Sequence, residues 1–134
     1  MKKISRNKVI LGTANLASNY GINNSNILKK NSIPKFFKFL RKEKIQYIDT
    51  AEKYKNNNKI LNKINASNFK IIKNISINNK KINKKKIFDQ IKNDLTKLRL
   101  KNFYCVMLHN TACLKNNKKS KIFEILRELK KNKL

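Results

Sequence analysis

The feature that most constrains the fold is a fourfold alternation of short apolar runs with segments of helical periodicity. The runs are rich in isoleucine, valine and phenylalanine and lie at residues 8–14, 45–51, 69–76 and 103–109. A segment whose apolar residues recur at helical spacing follows each run. The connections are long enough for parallel crossovers. The alternation therefore predicts an α/β fold in which a right-handed βαβ series builds a parallel sheet.

The third helical segment has the clearest pattern along the chain. Ile87, Ile91, Leu95 and Leu98 recur every three to four residues and predict one buried stripe on an amphipathic helix. In the first segment Pro34 suits the opening turn of a helix, where its missing amide costs nothing. These apolar stripes are interpreted as core rather than as a cofactor-binding motif.

Four polar residues stand at or just beyond the predicted strand ends. Asp49 follows the apolar run that begins at Ile45, and Tyr54 falls in the loop beyond it. Lys73 lies near the end of the third strand, and His109 ends the fourth. The carboxyl ends of parallel strands are where α/β folds place functional side chains. Taken singly, each has an ordinary alternative: a capping aspartate, a surface tyrosine, one of many lysines and a loop histidine.

The order and spacing of these four residues resemble the catalytic tetrad of the aldo-keto reductases. Asp-Thr-Ala at residues 49–51, two further residues and then a tyrosine resemble that family's second βα unit. Residues 9–24, VILGTANLASNYGINN, are similar to the first strand and loop of a bacterial subgroup with a Gly-Thr-Ala and Asn-Tyr-Gly-Ile pattern. One departure is that Ile72 precedes Lys73, where the family usually has a Thr-Lys dipeptide.

The resemblance implies part of a (β/α)8 TIM barrel. A complete barrel of this kind needs about 250 residues, and the sequence has 134. Residues 1–134 are therefore expected to form one domain, the first four βα units of an incomplete barrel, with no second domain. Such a sheet would have unpaired edges.

The resemblance also implies a reaction, the reduction of an aldehyde or ketone to an alcohol by hydride transfer from NADPH. Tyr54 would donate the proton to the carbonyl oxygen, and His109 would orient the small carbonyl substrate. Lys73 would favour the phenolate that Tyr54 leaves behind, and Asp49 would hold Lys73 through a charge-assisted pair.

Gly12, Thr13 and Asp49 are the residues that the resemblance places beside the nicotinamide ribose. For Gly12 an ordinary strand-to-loop turn is an equally good interpretation. NADPH is preferred to NADH on family grounds alone, and most contacts to the adenosine phosphate are expected from strands five to eight. The identity of the substrate is not encoded in these residues.

Three interpretations of a half-barrel follow. The favoured one is a fragment or truncated product of a full reductase. In the second, two copies form a homodimer that closes a barrel of eight strands. In the third, the chain is a non-catalytic remnant whose basic surface binds RNA or another polyanion.

The charge balance is extreme, with 34 lysines and arginines against 7 acids and a net charge of +27. The lysines are spread over every segment, so the excess is interpreted as compositional. The densest run, residues 78–86, is not expected to recognise a specific nucleic acid, although nonspecific binding at low salt is expected.

Other classes of site are not supported by the sequence. Cys105 and Cys113 lie eight apart and the chain has one histidine, so no zinc site is expected. Cys105 is expected to pack inside the fourth strand. The first apolar segment contains Gly12, Thr13 and Asn15, which makes it too short and polar for a membrane span. We therefore expect no membrane association and a cytoplasmic protein.

Overall fold

Four parallel strands form one sheet whose spatial order follows the sequence, β1-β2-β3-β4. The computed structural model describes residues 9–16, 28–52, 54, 57–77, 82–114 and 119–134. The strands are β1 Ile10–Gly12, β2 Tyr47–Ala51, β3 Lys70–Ile75 and β4 Cys105–Leu108. Each falls within a predicted apolar run, and the expected βαβ architecture is confirmed.

A helix lies between or after successive strands, as the alternation predicts. The helices are α1 Ile33–Lys42, α2 Asn57–Lys63, α3 Lys84–Leu98 and α4 Lys119–Lys131. In the described part of the chain, three short 3-10 turns accompany them, at Lys30–Ser32, Ala66–Asn68 and Ala112–Leu114. Within the described ranges, no helix is long and apolar enough to cross a membrane.

The core lies between the helices and one face of the sheet. Successive strand residues point to opposite faces, so Ile48, Ile71 and Ile75 share the face that the helices cover. The predicted stripe of α3 is confirmed, since Ile91, Leu95 and Leu98 are buried in the same cluster. Asn83 caps that helix, because its side-chain oxygen accepts a hydrogen bond of 2.9 Å from the amide of Lys86.

The opposite face of the sheet is open. Ile10 and Met107 lie on this face and are 53% and 49% exposed. In an eight-stranded barrel the corresponding face is lined by packed side chains and belongs to the interior. We call this surface, formed by the side chains of Ile10, Asp49, Ile72, Asn74 and Met107 with Gly12, the open face.

A buried ion pair ties β3 to α3 on the helix-covered side. The ammonium of Lys73 lies 2.6 Å from the carboxylate of Asp94, and the two side chains are 0% and 9% exposed. The same carboxylate accepts a 2.9 Å hydrogen bond from the side-chain amide of Asn58 on α2. The strand β3 and the helices α2 and α3 thus meet at this buried ion pair. Loss of either charged side chain would leave the other buried without a counter-ion.

We expect Lys73→Met to lower the free energy of unfolding by about 3 kcal/mol, because it leaves Asp94 buried without its counter-ion. Lys92→Met, an exposed lysine on the same helix as Asp94, is the matched control and should change stability by less than about 0.5 kcal/mol. The double variant Lys73→Met/Asp94→Leu should recover much of the loss. Urea denaturation measures all three, and equal costs for the two lysine variants would contradict the buried pair.

Candidate functional site

Three neighbouring strands bring Gly12, Asp49 and Asn74 to one cleft on the open face. Gly12 pairs with Asp49 across β1 and β2, and Ala51 pairs with Asn74 across β2 and β3. The side-chain amide of Asn74 donates a hydrogen bond to the carboxylate of Asp49. The cleft has a volume of about 400 Å³, and Ile10, Ile72 and Met107 complete its lining. A carboxylate fixed by an amide therefore faces an accessible space.

The structure does not bring Lys73 to this cleft. Asp49 and Asn74 line the open face, whereas Lys73 points to the other side of the sheet and pairs with Asp94. The prediction that Asp49 holds Lys73 is therefore wrong. The physical reason is the two-residue repeat of a strand, which places neighbours on opposite faces. The sequence held one signal of this outcome, because Ile72 precedes Lys73 where the resemblance leads one to expect the threonine of a Thr-Lys dipeptide.

Hydrogen bonds from Thr13 connect the end of β1 to β2. Its hydroxyl and its amide donate hydrogen bonds of 2.9 and 3.1 Å to the backbone carbonyl of Asp49. The side-chain amide of Asn57 in turn donates to the backbone carbonyl and the hydroxyl oxygen of Thr13, at 2.8 and 2.9 Å. Thr13 is fully buried, so its side chain positions Asp49 and does not line the cleft. Asn57 was not identified from the sequence, where it is one of many asparagines.

Gly12 leaves open space beside Asp49. A side-chain carbon placed there would meet no atom within 4 Å. This spacing allows a ligand to approach the backbone closely. Because a larger side chain would also fit at position 12, the empty space alone does not explain why this residue is glycine.

Tyr54 lies one turn beyond the end of β2. Its amide donates to the carbonyl of Ala51 at 3.2 Å, and its carbonyl accepts from the amide of Asn57 at 3.2 Å. Its side chain is half-buried. Residues 53, 55 and 56 lie outside the described part of the chain. The backbone thus fixes Tyr54 at the carboxyl edge of the sheet, and its catalytic role remains a prediction.

His109 follows β4 directly and is held at the same edge. Its amide donates a 2.8 Å hydrogen bond to the carbonyl of Ile75, so the β3–β4 ladder extends one residue beyond the strand. Residues two apart on a strand share a face, so His109 falls on the same face as Met107, which lines the cleft. The side chain is half-buried. Its position fits the predicted role at a substrate carbonyl, which stays a prediction.

A second polar cluster lies at the opposite end of the strands and was not predicted. The rings of Tyr47 and Tyr104 meet edge to face at 5.1 Å, and the ammonium of Lys70 lies 5.1 and 5.5 Å from their centres. The hydrogen bond with Tyr104, together with that from Lys70, lowers the pKa of Tyr47. The hydrogen bond with Tyr47 raises the pKa of Tyr104. This cluster lies on the same face of the sheet as the cleft, towards the amino ends of the strands, and Tyr47 pairs with Ile10 of the cleft lining.

The two cysteines lie on separate elements. Cys105 is in β4, as predicted, and Cys113 is buried in the 3-10 turn before α4. Among the residues that the structure describes, no three histidine, cysteine, aspartate or glutamate side chains cluster as metal ligands would.

Comparisons with known proteins give the fold. No protein-family model matches the chain, and no curated protein matches its sequence. Two solved structures from Pseudomonas aeruginosa, both described as candidate aldo-keto reductases, superpose on it. One has a TM-score of 0.69 at 17% identity over 91% of this chain, and the other 0.70 at 16% over 93%.

The match extends over 50% of each of those structures, so the chain spans about half of their length. At this level of identity the likeness carries information on the fold, and the activity must be argued from the residues of the cleft. The chain has the fold of half of an aldo-keto reductase-like (β/α) barrel.

Proposed function

We propose that the cleft at the carboxyl edge of the open face is one wall of a site for nicotinamide-dependent carbonyl reduction. The observation that carries the proposal is the convergence of strand ends. Gly12 and Asp49 face one cleft, while Tyr54 and His109 follow β2 and β4 at the same edge. The substrate class is a small aldehyde or ketone, and the family resemblance favours NADPH.

The residues of the cleft fit part of a nicotinamide cofactor. Asp49 offers carboxylate oxygens that can accept hydrogen bonds from ribose hydroxyls, and Gly12 leaves the space that a ribose needs. Thr13 supports this arrangement from behind by holding the carbonyl of Asp49. When bound, the cofactor supplies a hydride.

The chain's own side chains would donate the proton and stabilise the developing negative charge. Reduction places negative charge on the carbonyl oxygen, which a hydrogen-bond donor at that position stabilises. Tyr54 would donate its phenolic proton to that oxygen, and His109 would donate a hydrogen bond that orients it. Asp49, held by Asn74, would bind the cofactor rather than a lysine.

A second candidate function is favoured by the position of Lys73. This ammonium is sequestered on the helix-covered side at 2.6 Å from Asp94, and no cation takes its place among the residues that line the cleft. This charge distribution is consistent with a half-barrel that binds a ligand or a partner protein but catalyses little carbonyl reduction. The polyanion interpretation finds no support at the cleft, which is lined by a carboxylate and no lysine or arginine.

We expect Tyr54→Phe to abolish NADPH-dependent reduction of an aromatic aldehyde while cofactor affinity stays within about twofold, because only the proton donor is lost. Tyr47→Phe is the matched control, since Tyr47 begins β2 and is not among the residues that line the cleft. Turnover is followed by NADPH absorbance, and affinity by its fluorescence. A chain that reduces no carbonyl with NADPH, or equal rates in the Tyr54 variant and the parent, would refute the proposed function.

A further inference from the structure

We propose that a cavity between α1 and α2 binds a small amphipathic anion, an aliphatic carboxylate. The cavity has a volume of about 840 Å³ and lies on the helix-covered side of the sheet. That volume is within the range of about 300–1,000 Å³ that is typical of small-molecule sites. The cavity shares no described lining residue with the cleft of the open face. The inference therefore goes beyond the proposed function and does not depend on it.

The floor of the cavity is apolar and is formed by both helices. On α1, Ile33 and Phe37 lie four positions apart and so share one side of the helix. Ile60 of α2 and Ile64 repeat this spacing, and the amide of Ile64 donates a 3.1 Å hydrogen bond to the carbonyl of Ile60. Leu16, which follows β1, adds to the same surface. An aliphatic chain on this floor would be removed from water, which favours its binding.

Cations surround this apolar floor. Lys30, Arg41, Lys59 and Lys63 line the cavity, and all four residues are exposed. All seven acids of the chain lie in the part that the structure describes. None of these acids lines the cavity, and none forms an ion pair with the four cations. The charge of the rim is thus complementary to a ligand with an anionic head and an apolar tail.

The carboxylate head is assigned to the end of the cavity where the two helices finish. Arg41 lies in the last turn of α1 and Lys63 ends α2, while Asn65 and Asn68 line the same end. A guanidinium can donate two parallel hydrogen bonds to the two oxygens of a carboxylate. The side-chain oxygen of Asn65 accepts a 2.7 Å hydrogen bond from the hydroxyl of Ser67, which leaves the amide hydrogens of Asn65 to donate to the head.

The tail would follow the apolar floor from Arg41 toward Ile33. These two residues are eight positions apart on α1, which corresponds to about 12 Å along the helix axis. The extended tail of decanoate is comparable to this distance. Each further methylene that the floor removes from water should raise the affinity by about two- to fourfold.

Calorimetric titration with hexanoate, octanoate and decanoate tests the inference, in about 0.3 M salt to screen the charge of the rest of the chain. We expect one decanoate to bind per chain, with an affinity that rises about two- to fourfold for each methylene. Arg41→Gln should weaken decanoate binding by about three- to fivefold, because the contact with the guanidinium is lost. Arg127→Gln on α4 is the matched control, since it removes the same charge outside the cavity lining.

The methyl groups of ¹³C-labelled isoleucine locate the bound ligand by NMR, with signals assigned from single isoleucine-to-valine variants. We expect decanoate to shift the signals of Ile33, Ile60 and Ile64 and to leave those of Ile10 and Ile72 on the open face unchanged. Decyltrimethylammonium, a cation with a tail of the same length, should bind about tenfold more weakly or less.

Four outcomes would overturn the inference. They are the absence of binding, an affinity that does not depend on tail length, equal losses in the two arginine variants, and signal shifts confined to the open face. Equal binding of the cationic and anionic ligands would also overturn it, because the charge of the rim would then play no part. Thermal melts of both arginine variants establish that the fold is retained.

Discussion

The alternation of side chains along β3 is the constraint on which the rest of the structure depends. Ile71, Lys73 and Ile75 point toward the helices, while Ile72 and Asn74 point toward the open face. This division is reinforced by a buried ion pair with α3 and by the isoleucines in the core. With β3 in this orientation, the carboxylate of Asp49 meets the side-chain amide of Asn74 in the cleft instead of the ammonium of Lys73.

Two polar networks then position the cleft from opposite sides. Beneath it, Asn57 holds Thr13, and Thr13 holds the carbonyl of Asp49. Within it, Asn74 holds the carboxylate of Asp49. Buried hydrogen bonds of this kind are costly to break because a group left unpaired retains its desolvation penalty. The candidate site is therefore built on strand ends that the fold fixes, which is what a preorganised binding surface needs.

Much of the fold was predictable from periodicity, and the side-chain orientation of β3 was not. The four apolar runs and the stripe of α3 are local patterns that the helices and strands reproduce. In contrast, Ile71 and Ile72 are adjacent apolar residues, so β3 shows no polar alternation from which its faces could be assigned. Strands of parallel sheets are often apolar on both faces. The assignment depends on Asp94, which lies 21 positions further along the chain.

The central claim, that β3 turns Lys73 away from the cleft, can be tested by competitive acetylation of lysines under native conditions followed by mass spectrometry. Lys70 lies on the same strand and is exposed, so it serves as the internal reference. The account predicts that Lys73 reacts at least about a hundredfold more slowly than Lys70, since full burial and its ion pair protect the amine from the reagent. Labelling of Lys73 at a rate similar to that of Lys70 would contradict it.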